Sequence, residues 1–348
     1  MRATRRRVWA GAWLALAFTV WVAWVTVFVG ESDPLTFVIA SAWPAVFAVP
    51  VVWSLVAVVR RKVWGAFVPL AVSVVLLVGP IGAISWGSPG EPLEGDVRVL
   101  TYNIEHGVHG WDKVAEVIRA ADPDILCLQE VAIAWPERPD DPLLRYLEDF
   151  HWFRMRTAGL LIASRFPLTG QAILPVQKAK DDYLLVAHTE VGGQRVTVMN
   201  THLLPFCGGH YSQADVLNWP KNFSEAARDR RTQLRLVLDE VANRDGPVIL
   251  CGDLNRNPTG PEYGWMTREL TDSYAAAGRG FGYTSNSFAL GQRIDYVLSR
   301  GFETVQAGPA PGQASDHKPY SAVLRSRDAA GAAQSVSTNG TLAGAERH

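Results

Sequence analysis

Charged residues are absent from three long stretches near the start of this 348-residue chain. The stretches cover residues 8–29, 35–59 and 63–86. Each is longer than the roughly 20 residues that a helix needs to cross the hydrocarbon core of a bilayer. We therefore expect three transmembrane helices in a membrane anchor of residues 1–86. For the first stretch a cleaved signal peptide is the alternative, because four arginines precede it within the first seven residues.

The loop between the first two stretches, residues 30–34, has no basic residue. In contrast, arginines precede the first stretch, and Arg60, Arg61 and Lys62 separate the second from the third. Short basic loops of membrane proteins stay on the cytoplasmic side. The pattern thus predicts a multi-pass protein of the cell membrane with a cytoplasmic N-terminus. Three crossings then put everything after Trp86 on the extracytoplasmic side.

Long apolar runs are absent after Trp86, so the remainder is expected to form a water-exposed domain. Residues 87–95 contain too much glycine and proline for a helix and are expected to form a linker. The domain is expected to cover residues 96–325. It is followed by residues 326–348, which are rich in Ala, Ser, Gly and Thr and are expected to form a disordered tail.

Cysteine is also scarce, with three residues in the whole chain. An odd number excludes a disulfide framework that pairs them all. Cys127 and Cys251 lie in apolar runs and are expected to be small buried hydrophobic residues. Cys207 lies in a loop, where we expect a free thiol.

Apolar runs of two kinds indicate that the domain mixes strands and helices. Runs rich in β-branched residues predict strands at residues 97–104, 125–131, 151–156, 159–165, 183–191, 194–203, 248–253, 293–299 and 320–325. Helical spacing predicts a first helix that Pro123 ends and a longer one, Phe223 to Asn243, capped by Asn222 or Ser224. Strands outnumber helices along the chain. We therefore expect an α/β fold in which two sheets pack together beneath outer helices.

Motifs of several common hydrolases are missing from the domain. It has no GxSxG, no HExxH and no glycine-rich phosphate loop. Instead, polar residues of related chemistry end several predicted strands: Asn103, Glu105, Glu130, His202, Asp253, Asn255, Asp295, Asp316 and His317. Each has an ordinary explanation as a turn, surface or ion-pair residue. Their shared position at strand ends favours a common cleft.

Such a cleft would combine carboxylates and carboxamides with two imidazoles and no thiolate. Hard oxygen ligands of this kind suit Mg²⁺, with Mn²⁺ as an alternative, rather than a structural zinc ion. His202 and His317 would donate hydrogen bonds to a phosphoryl group or exchange protons with it, and Asp316 would hold the tautomer of His317. We therefore expect metal-assisted attack of water on a phosphoester.

Six motifs carry a resemblance to a known family. They are "LTYNIEHG", "DILCLQEV", "NTHL", "CGDLNRNP", "RIDYVL" and "SDHKPY", in this order along residues 96–325. The series resembles the endonuclease/exonuclease/phosphatase superfamily, the DNase I-like proteins. The resemblance implies a four-layer α/β sandwich with the active site at one edge of its two sheets. It covers nearly the whole domain and none of the membrane region.

The resemblance also implies roles for the residues in these motifs. Glu130 is implied to be the principal Mg²⁺ ligand, helped by Asn103 and Glu105. Asp253 is implied to position or deprotonate the attacking water, which Asn255 would orient.

Two histidines are implied to bind the scissile phosphate. His202 and His317 would stabilise its developing charge, with Asp316 orienting His317. Asp295 would complete the polar network. The general base stays open between Asp253 and the Asp316–His317 pair.

Basic runs are absent from the domain, and between residues 91 and 325 acidic side chains outnumber basic ones by 30 to 24. Nucleic-acid binding depends on basic surface that neutralises phosphates, so a nuclease is not favoured.

The layout of three N-terminal spans before such a domain resembles that of the VanJ-like membrane proteins linked to teicoplanin resistance. That similarity implies a lipid-linked phosphate of cell-wall synthesis, such as a polyprenyl pyrophosphate, beside the lipid bilayer. A tethered nuclease and a non-catalytic binding protein are the alternatives.

An aromatic loop lies between the "NTHL" motif and the long helix. Residues 204–223 include four aromatic side chains, Phe206, Tyr211, Trp219 and Phe223. Loops of this length are often functional, so a lid or substrate wall is one interpretation and packing over the sheet is the other.

Overall fold

The structure is a computed structural model of the chain. It describes residues 2–41, 48–59, 67, 71–72, 74–75, 84–132, 135, 139–177, 182–206, 219–286 and 291–327. Four expectations lie outside these residues: the free thiol of Cys207, the role of the aromatic loop over residues 207–218, the disordered tail beyond residue 327, and most of the third predicted span.

The N-terminal segment is helical. Helix α1 (Arg2–Trp24) continues into one π-helical turn (Val25–Val29), and helices α2 (Pro34–Ser41) and α3 (Ala48–Val59) follow. Within the described ranges, none of the helices has both the length and the apolar character needed to cross a membrane.

The domain contains the strands that the apolar runs predict and several more. Strands β1 to β14 are Ser85–Trp86, Val97–Asn103, Ile125–Gln129, His151–Met155, Leu160–Ser164, Thr169–Gln177, Asp182–Val191, Gln194–His202, Val248–Asp253, Thr271–Asp272, Arg279–Gly280, Asp295–Arg300, Phe302–Pro309 and Tyr320–Ser326. Helices α4 to α8 are Trp111–Ala121, Pro142–Tyr146, Trp219–Ala242, Gly260–Glu269 and Ser273–Ala277, and 3₁₀ turns occupy Glu105–Gly107 and Leu147–Asp149.

Two six-stranded sheets form the centre of the described domain. The first has the strand order β13-β14-β2-β3-β5-β4 and the second β10-β12-β9-β8-β7-β6. Each sheet contains one parallel pair, β2 with β3 and β8 with β9, and its other pairs are antiparallel. The two parallel pairs matter for the site, because the carboxyl ends of parallel neighbours lie at the same edge.

The sheets pack face to face and carry helices on their outer faces. Their inner faces share one apolar core, which includes Val99, Cys127, Ile162, Val198, Cys251 and Val297. On the outside, α4 packs on the first sheet through Val114 and Ile118, and α6 packs on the second through Leu234 and Val237. The expected four-layer α/β sandwich is thereby confirmed. Cys127 and Cys251 are both buried free thiols, also as expected.

Five strands (β1, β6, β10, β11 and β13) and three helices (α5, α7 and α8) were not predicted, and one boundary was wrong. Strands β6 and β13 are edge strands, and each contains a proline. Edge strands tolerate proline and need fewer apolar residues than central ones, so their sequence signal is weak. Helix α7 begins at Gly260 and was also missed. Helix α6 starts at Trp219 rather than at Phe223, so Asn222 and Ser224 lie inside it and do not cap it.

The predicted linker lies along the surface of the domain. The backbone N–H of Gly87 donates to the Gly278 carbonyl at 2.9 Å, and that of Gly90 donates to the Val305 carbonyl at 2.7 Å. Just before it, β1 pairs with β11. The segment is therefore held against the sandwich by backbone hydrogen bonds rather than extended away from it.

Candidate active site

The topology brings the ends of five strands to one edge of the sandwich. Parallel pairing places the end of β2 beside the end of β3 and, in the other sheet, aligns His202 on β8 with Asp253 on β9. Strand β12 is antiparallel to β9, so its first residue, Asp295, lies opposite Asp253. Residues that are far apart in sequence thus meet because each occupies the strand end that lies at this edge.

Asp253 is the centre of this group. Its side chain is 1% exposed, and its Oδ2 accepts a hydrogen bond from Asn103 Nδ2 at 3.1 Å. The same oxygen lies 3.6 Å from Nε2 of both His202 and His317. Burial and the neighbouring Asp295 carboxylate raise the pKa of Asp253, while the two imidazoles and the Asn103 hydrogen bond oppose this shift. The result is a carboxylate that is more basic than an exposed one.

Asn103 links the two sheets at the site. Its Nδ2 donates to Glu130 Oε1 at 2.8 Å as well as to Asp253, while its Oδ1 accepts the Glu105 N–H at 3.1 Å. Glu105 Oε2 in turn accepts the backbone N–H of Asp316 at 2.9 Å. The amide of Asn103 therefore fixes the separation of Glu130 and Asp253. The expected roles of Asn103 and Glu105 as metal ligands stay predictions.

His317 is bonded to the carboxylate of Asp295. Its Nδ1 lies 2.8 Å from Asp295 Oδ2, and the ring is nearly buried. Burial alone would lower the pKa of the imidazole, but the carboxylates of Asp295 and Asp253 outweigh it and raise the pKa to about 10. The ring is therefore protonated at neutral pH, so its Nε2 carries a proton that it can donate.

Asp316 was expected to orient the His317 ring, but the carboxylate bonded to Nδ1 of that ring belongs to Asp295. The charge of Asp316 still helps to raise the pKa of His317, as expected for a carboxylate that favours the charged imidazole. Asp316 Oδ1 accepts from Ser315 Oγ at 3.3 Å, and its backbone is held by Glu105 and by the N–H of Asn286. Adjacency in sequence therefore does not decide which carboxylate is bonded to the ring, and Asp295 is the one that holds its Nδ1.

Asn255 lies in the turn that follows β9. Its N–H donates to Asp253 Oδ1 at 2.9 Å and its Nδ2 donates to the Leu203 carbonyl at 2.8 Å. These two bonds fix the carboxamide beside Asp253. None of the described residues donates a hydrogen bond to its Oδ1, so this oxygen is available to a water molecule at the site.

Backbone strain is concentrated at the same edge. Four residues of the site region have positive φ angles although they are not glycine: Glu105 (47°), His106 (54°), Glu130 (54°) and Asn255 (49°). Conformations of this kind cost energy and persist only where the surrounding structure enforces them. Their clustering is typical of a functional site.

Buried polar side chains next to the site form a hydrogen-bonded bridge between the two sheets. Gln129 Nε2 donates to Asn200 Oδ1 at 2.7 Å across the two sheets and to Thr101 Oγ1 at 3.0 Å. Asn200 Nδ2 donates to the carbonyls of Leu128 and Leu161, both at 2.9 Å. The bridge joins the strands that carry Glu130 and His202. It was not predicted, although Gln129 directly precedes Glu130 in the "CLQE" motif.

Replacing Gln129 with leucine is expected to destabilise the fold by about 1–3 kcal/mol, because the oxygen of Asn200 then stays buried without a partner. Thermal or denaturant unfolding measures the change. Gln306→Leu is the matched control, since the Gln306 amide makes an exposed bond to the Gly90 carbonyl. Equal stability of the Gln129 variant and the wild type would contradict this account of the bridge.

The donor atoms at this edge fit a divalent cation. Asp253, Asp295 and His317 offer three ligand atoms within 4.8 Å of one another. However, His317 is protonated and already bonded to Asp295, so its ring repels a cation. The Glu130 carboxylate is 26% exposed and faces Asn103 and the imidazoles of His106 and His202. It is therefore the better centre for a hard ion that prefers oxygen ligands.

Comparison with known proteins identifies the relatives of this domain. A sequence model described as the Endonuclease/Exonuclease/phosphatase family matches residues 100–317. A UPF0294 protein of Vibrio campbellii is 22% identical over 247 residues, which cover 65% of this chain and 76% of the relative. Protein angel homolog 2 of Mus musculus is 27% identical over 217 residues, which cover 54% of this chain and 36% of the relative.

Solved structures share the fold. An endonuclease/exonuclease/phosphatase of Bacteroides vulgatus has a TM-score of 0.53 at 20% identity and covers 67% of this chain and 99% of its own. A humanized TDP2 of D. rerio has a TM-score of 0.53 at 17% identity and covers 67% of this chain and 100% of its own. These likenesses confirm the predicted DNase I-like α/β fold.

Proposed function

Because the chain belongs to the endonuclease/exonuclease/phosphatase family, we propose that it is a divalent-metal-dependent phosphoester hydrolase. Members of the family hydrolyse phosphoester bonds. The observation that carries the proposal is the convergence of Asn103, Glu130, His202, Asp253 and His317 at one edge of the sandwich. Such a set combines a hard-metal ligand, a buried base and two cationic or hydrogen-bonding groups, which a phosphoryl transfer to water requires.

Asp253 is the general base in this proposal. His317 is already protonated and bonded to Asp295, so it cannot take a proton from water. The raised pKa of Asp253 makes its carboxylate the more effective base at neutral pH. Asn255, fixed by its bonds to Asp253 and Leu203, orients the water.

The histidines act on the phosphoryl group. His317 donates its Nε2 proton in a hydrogen bond to a phosphoryl oxygen and offsets the negative charge that builds up there. His202, at the end of β8, binds the same phosphoryl group. Its Nε2 is also 3.6 Å from Asp253 Oδ2. As the oxygen of water bonds to phosphorus, its proton passes to Asp253. The bond from phosphorus to the leaving oxygen breaks, and that oxygen takes up a proton from solvent water.

Glu130 would hold the metal ion, which when bound supplies positive charge to the phosphoryl oxygens and the leaving group. Glu130→Gln is expected to raise the Mg²⁺ concentration for half-maximal activity on the order of 10- to 100-fold. Titration of Mg²⁺ and of Mn²⁺ into chelator-treated protein measures this shift. An unchanged metal requirement in this variant would show that Glu130 does not bind the metal ion.

We further propose that the enzyme is anchored in the cell membrane, faces the extracytoplasmic side and acts on a lipid-linked phosphate or pyrophosphate. Three uncharged N-terminal stretches and the distribution of basic residues support the anchor and its orientation. The similarity of this layout to VanJ-like proteins and the excess of acidic side chains in the domain favour a lipid over a nucleic acid.

A panel of substrates tests the proposal. The full chain, in detergent or liposomes, is assayed with Mg²⁺ on a polyprenyl pyrophosphate, a phospholipid, an inositol phosphate and plasmid DNA. Metal-dependent phosphate release from the isoprenoid lipid alone is the expected result. DNA cleavage without lipid hydrolysis would instead establish a nuclease, and binding without any turnover would favour a non-catalytic role. Protease treatment of sealed right-side-out vesicles tests the orientation, since an extracytoplasmic domain is cleaved and a cytoplasmic one is protected.

A further inference from the structure

The loop between helices α1 and α2 docks on the domain beside the candidate active site. Gly30 in this loop and Gly260 at the start of α7 approach so closely that a Cβ on Gly260 would lie 2.7 Å from the Cα of Gly30. Both glycines have positive φ angles, 64° and 77°. Near this loop, Phe37 of α2 stacks on Phe206 with ring centroids 4.6 Å apart and packs on Phe223. The N-terminal segment is thus fitted to this surface.

Glu31 inserts its side chain into the domain. It is 1% exposed, and its Oε1 accepts hydrogen bonds from Asn257 Nδ2 at 2.7 Å and from the Asn257 N–H at 3.3 Å. Asn257 lies two residues after Asn255, whose own N–H is held by Asp253 Oδ1. The carboxylate of Glu31 therefore holds the far end of the turn that carries the proposed base and the water-orienting amide.

The carboxylate of Glu31 also lies near a buried guanidinium group. Its Oε2 lies 3.8 Å from Nη2 of Arg230, a guanidinium that is fully buried on α6. Arg256, in the same turn as Asn255, is 1% exposed, and its Nη1 lies 3.0 Å from Glu262 Oε2 without good hydrogen-bond alignment. Two buried arginines thus share this interior with two glutamates, and the second glutamate, Glu262, is also bonded to the partly exposed Arg231. Removing Glu31 therefore leaves an uncompensated positive charge.

Arg230, the arginine beside Glu31, is also connected by hydrogen bonds to the chain segment that holds Asn255. Arg230 Nη1 donates to the Leu204 carbonyl at 3.2 Å, and the preceding carbonyl, of Leu203, accepts from Asn255 Nδ2 at 2.8 Å. Burial and the neighbouring Arg256 lower the pKa of Arg230 to about 10, while the carboxylate of Glu31 opposes this shift. Glu31 therefore acts on both segments that hold Asn255, the turn after β9 and the chain after His202.

We propose that Glu31 is a positioning residue for hydrolysis, through which the N-terminal segment completes the active site by holding Asn257 and Arg230. The inference rests on the proposed function and extends it to a residue outside the family domain. Its physical basis is that small displacements of positioned groups lower rates steeply, by about 10²-fold for 1 Å. The loop between the first two predicted spans would thereby contribute to catalysis.

The test compares Glu31→Ala with Asp33→Ala in the full chain. Asp33 is the matched control, because among the described residues its carboxylate accepts hydrogen bonds only within its own loop and helix, from the N–H groups of Leu35 and Thr36 and from Thr36 Oγ1. Glu31→Ala is expected to lower kcat about 10- to 100-fold with little change in KM, whereas Asp33→Ala stays near wild type. Formate, which fits the space left by the carboxylate, is expected to restore part of the activity of Glu31→Ala alone.

Glu31→Gln covers the case in which the alanine variant does not fold. Its amide oxygen still accepts from Asn257 but carries no charge, so intermediate activity is expected. An unchanged kcat in both Glu31 variants, an equal fall in Asp33→Ala, or no response of Glu31→Ala to formate would overturn the inference.

Hydrogen exchange separates failure of this inference from failure of the proposed function. If the wild type shows no metal-dependent hydrolysis, the proposed function fails, and amide exchange in residues 254–259 decides whether Glu31 holds the turn. Faster exchange there in the Glu31 variants, but not in Asp33→Ala, supports the positioning role. Unchanged exchange overturns it.

Discussion

The Asp253→Asn variant is expected to hydrolyse phosphoesters about 10²- to 10⁴-fold more slowly than the wild type, the range for loss of a general base. Asparagine keeps the size of the side chain and an oxygen that accepts the Asn255 N–H. Its amide nitrogen replaces the oxygen that accepts from Asn103, and the side chain cannot take a proton from water. The effect should fall on kcat, because the groups that bind the phosphoryl group remain. Initial rates at saturating Mg²⁺ measure it.

Folding must be separated from chemistry in this variant. Removing the charge of a buried carboxylate is not expected to destabilise the protein much, since burial already disfavours that charge. The thermal midpoint of Asp253→Asn should therefore stay close to that of the wild type. A variant that folds normally and keeps more than a tenth of wild-type kcat would show that another group is the base.

The His317→Gln variant is expected to lose about 10²- to 10³-fold in kcat, the range for removing one donor to a developing oxyanion. Glutamine can still donate a hydrogen bond to Asp295, but it carries no positive charge. The charge matters because the carboxylates of Asp295 and Asp253 keep the imidazole protonated. The rates are measured on a substrate with a good leaving group. The loss of rate then reflects the missing charge at the phosphoryl oxygens rather than an effect on the leaving group.

Asp295→Asn is the companion variant. It keeps an acceptor for His317 Nδ1 but removes the charge that raises the pKa of the ring. We expect a smaller loss than in His317→Gln, and we expect it to grow as the pH rises and the ring loses its proton. Equal losses in the two variants at every pH would contradict a role for the imidazolium charge.

The sequence predicts the sandwich and most of the site because both depend on regular patterns. Central strands such as β3 and β9 are continuous apolar runs, and their polar ends, Glu130 and Asp253, are visible without a structure. Two parallel strand pairs then bring these ends together. The apolar run of edge strand β6 is interrupted by a proline and β13 has none, and the two strands were missed for that reason.

The contacts of individual side chains are less accessible from the sequence. Asp316 adjoins His317 in the chain, yet the ring bonds to Asp295, which is supplied by an antiparallel strand of the other sheet. Glu31 lies 226 residues from Asn257, and nothing in the sequence around it predicts their contact. Pairings of this kind depend on packing between distant segments, which local patterns do not encode.

Phosphate release by the full chain, with Mg²⁺ and after chelation, tests the central claim most directly when wild type and Asp253→Asn are compared on a polyprenyl pyrophosphate. The account predicts release by the wild type that stops with the chelator, returns with added Mg²⁺ and is lost in the variant. Release that survives both chelation and the Asp253 substitution would contradict it, as would a wild type that releases no phosphate from any phosphoester of the panel.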